Sequence, residues 1–153
     1  MRKFVFAAAA TFALSASLTA TSAIAQPKPE DTIKYRQSVY TVMGWNFGSL
    51  VPMVRGEKPY DKEAFARAAG IVAQLAPLAM EGFAAGSDKG APTKAKAEIW
   101  TKAADFKEKM DKMVVETAKL ALMAKSGSMD DIKKQFGATG GTCKACHDEY
   151  KSK

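Results

Sequence analysis

Cys143, Cys146 and His147 stand at i, i+3 and i+4 in a 153-residue chain that has two cysteines and one histidine in all. On a helix those positions share one face, so two thiols and an imidazole would point the same way. Four chemistries could use the set. A thioredoxin-like redox pair needs alternating strands and helices around it, and the chain has no such alternation. Zinc needs four ligands, so a carboxylate such as Asp148 would have to complete the two sulfurs and one imidazole. A structural disulfide would leave the histidine without a role. The spacing C-x-x-C-H is the attachment pattern of a c-type haem: the thiols become thioethers on two vinyl groups and the imidazole meets the iron. Only this last use employs all three residues without calling for a fourth, while Lys144 and Ala145 face elsewhere. One covalent haem c is therefore expected, with His147 as axial ligand. No second histidine exists for the other iron face, which leaves Met, Lys, Tyr, water or nothing there.

The start of the chain agrees with a haem attached outside the cytoplasm. Arg2 and Lys3 precede an uncharged run, Phe4 to Ala20, and Ala23-Ile24-Ala25 forms a small-x-small cleavage site. The run is rich in Ala, Ser and Thr and would make a poor membrane-spanning helix. Residues 1–25 read as a cleaved signal peptide and 26–153 as one periplasmic domain, with no membrane association after cleavage. Losing Arg2 and Lys3 lowers the formal charge from +7 by two, to +5. The lysines are scattered among acidic residues, as solvated helix faces are. No basic-aromatic interleaving points to nucleic acid.

Four elements must position the motif. Ile33, Arg36, Tyr40, Met43 and Phe47 recur at helical spacing, predicting a first helix over 30–51 closed by Pro52 and Gly56. Asp61 is a good N-cap for a second helix to about Phe83, which Pro77 should kink or restart. The irregular stretch 82–93 leads to a third helix over 95–125. Its seam, Ile99, Ala103, Phe106, Met110, Met113, Thr117 and Leu120, has heptad spacing. Ser128 to Asp131 resembles a capping box and opens the fourth helix. Gly137, Gly140 and Gly141 argue against a helix at roughly 1 kcal/mol each. The phase of Ile132, Phe136, Thr139, Cys143 and Cys146 argues for one, with the glycines letting a flat ligand approach the backbone. The fold expected is all-α, an antiparallel four-helix bundle around covalently bound haem.

The sequence resembles the cytochrome c′ family, the class II cytochromes c. The haem motif lies at the C-terminal end, where class I proteins carry it near the N-terminus. Residues 30–38 resemble the family's first helix, Lys96-Ala97-Glu98-Ile99-Trp100 the entry to its third, and Phe136 to Tyr150 its fourth. The resemblance implies a five-coordinate, high-spin haem in a homodimer paired through the first helices. Cys143 and Cys146 match the thioether anchors and His147 the axial ligand. Arg36 and Gln37 match the haem-contacting pair, Arg36 as partner of a propionate, although a surface arginine would also fit the sequence. Tyr40 matches the residue that covers the vacant iron face, where many relatives carry an aliphatic side chain or Phe. Its hydroxyl could reach a bound diatomic gas, or turn to the surface. Lys151 stands where many relatives carry Arg, and it lacks the planar fork. Lys96 to Glu98 match a segment against the haem edge.

What the resemblance implies is a binder of NO or CO, a carrier of electrons for an unidentified periplasmic redox partner, or both. The alternative is a low-spin electron carrier with Met43 as sixth ligand. A peroxidase-type enzyme fits least well, because peroxide cleavage wants a distal acid-base residue and no histidine is spare; the chain is expected not to be an enzyme.

Overall fold

The computed structural model describes residues 27–153. The signal-peptide expectation lies outside the described residues. In chain order come α1 (Pro29–Arg55), α2 (Lys62–Leu75), a 3-10 stretch (Pro77–Phe83), the single turn α3 (Glu98–Thr101), α4 (Ala103–Ser126) and α5 (Met129–Tyr150). The long helices α1, α2, α4 and α5 form the bundle; short connections make α1–α2 and α4–α5 antiparallel neighbours, whereas the long stretch 76–102 links α2 to α4. Among the described residues, β-structure is confined to one isolated antiparallel bridge, Ala95 to Lys151, and no helix is long and apolar enough to cross a membrane.

The local signals are mostly realised. Asp61 Oδ1 accepts from the Ala64 amide at 2.9 Å, and Ser128 accepts from the Asp131 amide while its hydroxyl meets the Asp131 carboxylate at 2.6 Å. Pro77 ends α2 and restarts the chain in the tighter 3-10 form.

Three expectations are corrected. Pro52 does not close α1, which runs on to Arg55 and ends at Gly56, whose φ of 74° is the left-handed cap. The carbonyl that Pro52 leaves without a donor belongs to Gly48, which is exposed and open to water. The third helix does not begin at Ala95. Segment 94–96 is extended because α5's end takes its backbone: the Lys96 amide donates to Tyr150 O at 3.0 Å and the Ser152 amide to Lys94 O at 2.8 Å. A break at Lys102 (φ −116°, ψ 42°) then separates α3 from α4, so Ala103 is exposed while the rest of the seam is buried. Finally, α5 is continuous through its glycines, but Gly137, Gly140 and Gly141 do not line the cavity described below. Gly137 and Gly141 are exposed with open space around them, and Gly140 faces Phe47 at 3.8 Å.

The core has two parts. At one end Leu50, Met53, Phe65, Leu120 and Ile132 pack together. At the other, Val39 and Met110 pack with Met43, Val72, Phe106, Met113 and Tyr150, and the last five line a cavity. Phe47 belongs to both and stacks on Phe136 with centroids 4.4 Å apart. Each fully buried side chain of this size contributes about 1.5–3 kcal/mol, so the solid end supports a hollow one.

Candidate functional site

Cys143, Cys146 and His147 lie on one face of α5, and all three line a cavity of about 800 Å³. That size falls within the roughly 300–1,000 Å³ of pockets that take cofactors. The facing wall is α1, which contributes Arg36, Gln37, Tyr40, Met43 and Phe47; Phe83, Ile99, Phe106 and Met113 supply much of the remaining apolar lining.

Both cysteines are free. Burial pushes the Cys143 thiol up, and burial with Cys143 alongside pushes Cys146 up to about 11. Neither is the activated thiolate that a redox pair needs. A zinc set is not assembled either: no metal-holding group of three His, Cys, Asp or Glu occurs among the described residues, and Asp148 pairs with Lys144. Burial, then the Lys151 charge, lower the His147 pKa. The imidazole is neutral at pH 7, with a lone pair to offer a metal.

Opposite them, the Tyr40 hydroxyl points inward and donates to Met110 Sδ at 3.5 Å, and its ring meets Phe83 edge-on. The surface orientation of this hydroxyl is thereby excluded. Burial raises its pKa, so it stays a phenol. Met43 is buried on the same wall. Gln37 is exposed at the rim and donates Nε2–H to Pro92 O at 2.9 Å.

Arg36 is no surface arginine; it is 3% exposed. Its Nη1 donates to Gly82 O (3.0 Å), Ser87 O (2.8 Å) and Ser87 Oγ (3.0 Å), and its Nη2 to Thr93 Oγ1 (2.9 Å). The guanidinium lies over the rings of Phe83 (5.2 Å) and Trp100 (5.7 Å). No carboxylate among the described residues forms an ion pair with it. The Asp88 charge reaches it only without direct contact; a buried cation with no anion paired to it is costly, and this one borders the cavity. Convergent thiols and imidazole, an apolar slot and an unneutralised guanidinium together fit a flat apolar group that bears carboxylates.

Residues 31–151 match the family model of Cytochrome C′. The chain belongs to the cytochrome c′ family. It is 40% identical to cytochrome c′ of Rubrivivax gelatinosus over 126 residues, covering 82% of this chain and 98% of that protein. Among solved structures, cytochrome c prime from Shewanella frigidimarina superposes with a TM-score of 0.81 at 43% identity, covering 84% of this chain and all of that one. The nitric oxide complex of a point variant of cytochrome c prime from Alcaligenes xylosoxidans gives 0.78 at 38% identity, over 84% and 99% of the two chains. Members are c-type haem proteins rather than enzymes, and membership implies covalent haem c.

Within the cytochrome c′ frame, the structure shifts one expected role. Lys96 does not line the cavity; its ammonium donates to Glu149 O at 2.9 Å, fastening α5's end. The neighbouring Thr93, Lys94 and Ala95 line it instead, as does Lys151 beyond His147. Tyr150, which carried no expected role, is buried with its hydroxyl bonded to the Asp105 carboxylate and its ring edge-on to Phe106. Its position one turn beyond Cys146, on the motif's own face, was the available signal. Ser87 and Thr93, the acceptors of Arg36, lie in an aperiodic loop and gave no signal.

Proposed function

We propose that this chain is an exported, periplasmic, high-spin c-type cytochrome whose five-coordinate iron takes NO or CO and exchanges electrons with a redox partner. In this reading residues 1–25 are removed on export, Cys143 and Cys146 carry the thioethers, and His147 is the axial ligand. Bound there, haem c would supply an iron that changes oxidation state and accepts a small neutral gas. The chain does the rest. α5 holds the two sulfurs and the imidazole on one face, and α1 closes the opposite side with Tyr40, Met43 and Phe47. Those side chains exclude water and anions and leave room for a diatomic molecule. Arg36 offers its charge to a carboxylate at the cavity's edge. The observation that carries the proposal is the pairing of the chain's single histidine with a facing wall whose Tyr40 is kept a phenol and turned onto Met110.

The test is the absorption spectrum of the mature holoprotein, oxidised, reduced, and reduced under CO. A broad reduced Soret band that sharpens with CO supports an open iron. Sharp reduced α and β bands indifferent to CO refute it. Met43 keeps a second reading in play, because it too is buried against the cavity. Under that reading Met43→Leu converts the sharp spectrum into the broad one.

The proposed homodimer pairs through α1. Trp45 is 81% exposed and Val42 46% exposed on its outer side, with the exposed small residues Thr41, Gly48 and Ser49 beside them. An indole packed over small residues of a second copy suits a self-complementary interface. Trp45→Lys should shift sedimentation from dimer to monomer; an unchanged sedimentation coefficient removes α1 from the interface.

A further inference from the structure

The cavity's two working walls, α1 and α5, meet at Phe47 and Phe136. Towards the Arg36 end of α1 they are bridged by segment 92–96. On the α1 side Gln37 holds Pro92 O and Arg36 Nη2 holds Thr93 Oγ1, which also accepts from the Ala95 amide at 3.1 Å. On the α5 side the segment is tied through the Lys96 amide to Tyr150 and through Lys94 O to the Ser152 amide and hydroxyl. The segment thus forms a strap from wall to wall, with Thr93, Lys94 and Ala95 facing the cavity. Upstream, Arg36 Nη1 holds the loop at Gly82 and Ser87, the root of the strap. Gly82 is pressed so close that an added Cβ would lie 2.2 Å from Arg36 Cβ.

We propose that Arg36 is a positioning residue that clamps this strap and so limits which ligands enter the cavity. The proposal rests on the cavity being the haem and gas site. Its physical basis is geometry rather than charge. One planar guanidinium reaches acceptors at residues 82, 87 and 93, which span twelve positions of chain without secondary structure beyond Gly82 and Phe83. An ammonium keeps the charge but cannot span that set. With the clamp in place, the strap stays shut against α5 and admits diatomic molecules. Without it, the strap opens more often and larger neutral ligands gain entry.

The experiment uses the mature holoprotein and Arg36→Lys, which retains the charge available to a haem carboxylate. Hydrogen exchange is read at the Lys96 and Ser152 amides, and association rates of CO and of an alkyl isocyanide are measured in the ferrous protein. Both amides should exchange about tenfold faster or more, the factor set by losing one hydrogen bond to a charged donor. The isocyanide rate should rise by a similar factor and the CO rate by much less. Thr93→Val, which deletes the Oγ1 that accepts from both Nη2 and the Ala95 amide, should move both readouts in the same direction and covers the case that Arg36→Lys does not fold; Thr93→Ser, which keeps that oxygen, should leave both near wild type. Wild-type exchange in the variants overturns the clamp, as does faster exchange with an unchanged ratio of isocyanide to CO rates. A wild-type protein that ignores CO refutes the gas-site reading instead, and the exchange rates still report on the strap.

Discussion

Gly82→Ala tests the packing on which the site depends. Gly82 has no left-handed backbone, so alanine meets no torsional penalty there and the whole cost is contact. Its Cβ would lie 2.2 Å from Arg36 Cβ, 2.9 Å from Arg36 Cα and 3.3 Å from the Arg36 backbone nitrogen. Carbon atoms pack at about 3.5–4.0 Å, and Arg36 sits mid-helix in α1 with no freedom to yield. The 3-10 stretch must therefore withdraw by more than an ångström. That motion breaks the Arg36 bond to Gly82 O and drags Phe83 from its edge-on contact with Phe106, now 4.8 Å between centroids. Overpacking costs about 1–3 kcal/mol and a lost hydrogen bond to a charged donor about 1.5–3 kcal/mol. The sum of about 2.5–6 kcal/mol corresponds to a fall in Tm of roughly 10–25 °C for a domain of this size. Thermal unfolding of the holoprotein followed by helical circular dichroism measures it. Gly86→Ala is the control: Gly86 has φ of 81° and open space around it, so it should cost only about 1 kcal/mol of backbone strain. A Tm for Gly82→Ala within a few degrees of wild type, or no lower than that of Gly86→Ala, would refute the reasoning.

The remaining predictions concern the helices that carry the site. Gly137→Ala should stabilise by about 0.5–1 kcal/mol, since the position is exposed, helical and open; a destabilised variant would show that something covers that face of α5. Ser128→Ala removes the N-cap of α5 and should cost about 1 kcal/mol in a denaturant titration, with no change in the CO spectrum. The Tyr150 hydroxyl, then Lys109 and Lys102, hold the Asp105 carboxyl below its ordinary value. A depressed acid contributes stability that is present above the unfolded pKa of about 3.9 and is lost as pH falls through the folded value. Asp105→Asn should therefore lower Tm at pH 7 and flatten the decline of Tm below about pH 4; an acid limb as steep as wild type would count against the Tyr150–Asp105 contact.

Much of the bundle was legible because periodic burial is a local property of the chain. The α1 stripe is buried or half-buried and the α4 seam from Phe106 to Leu120 is buried, as their spacing implies. The phase of Ile132 to Cys146 correctly outweighed three glycines, because packing along α4 overrides propensity. The start of the third helix was illegible for the converse reason. Lys94 to Lys96 have the residues of a helix, but their backbone groups are claimed by Tyr150 and Ser152, more than fifty positions away. A competition of that kind leaves no trace in a local pattern.

Arg36 shows where legibility ended within the site itself. Its spacing from Ile33 and Tyr40 places it on the buried stripe, and that much followed from helical geometry. What the guanidinium does there depends on Gly82, Ser87 and Thr93, which lie 46 to 57 positions away in a stretch whose glycines and prolines signal only irregularity. The motif on α5 announces its chemistry because covalent attachment needs three residue types at fixed spacing. The wall that faces it has no such constraint: any loop with three suitable acceptors could hold the same arginine. The chemistry was therefore readable from five consecutive residues, while the geometry that restricts access to it becomes visible only when α1 and the strap are seen together.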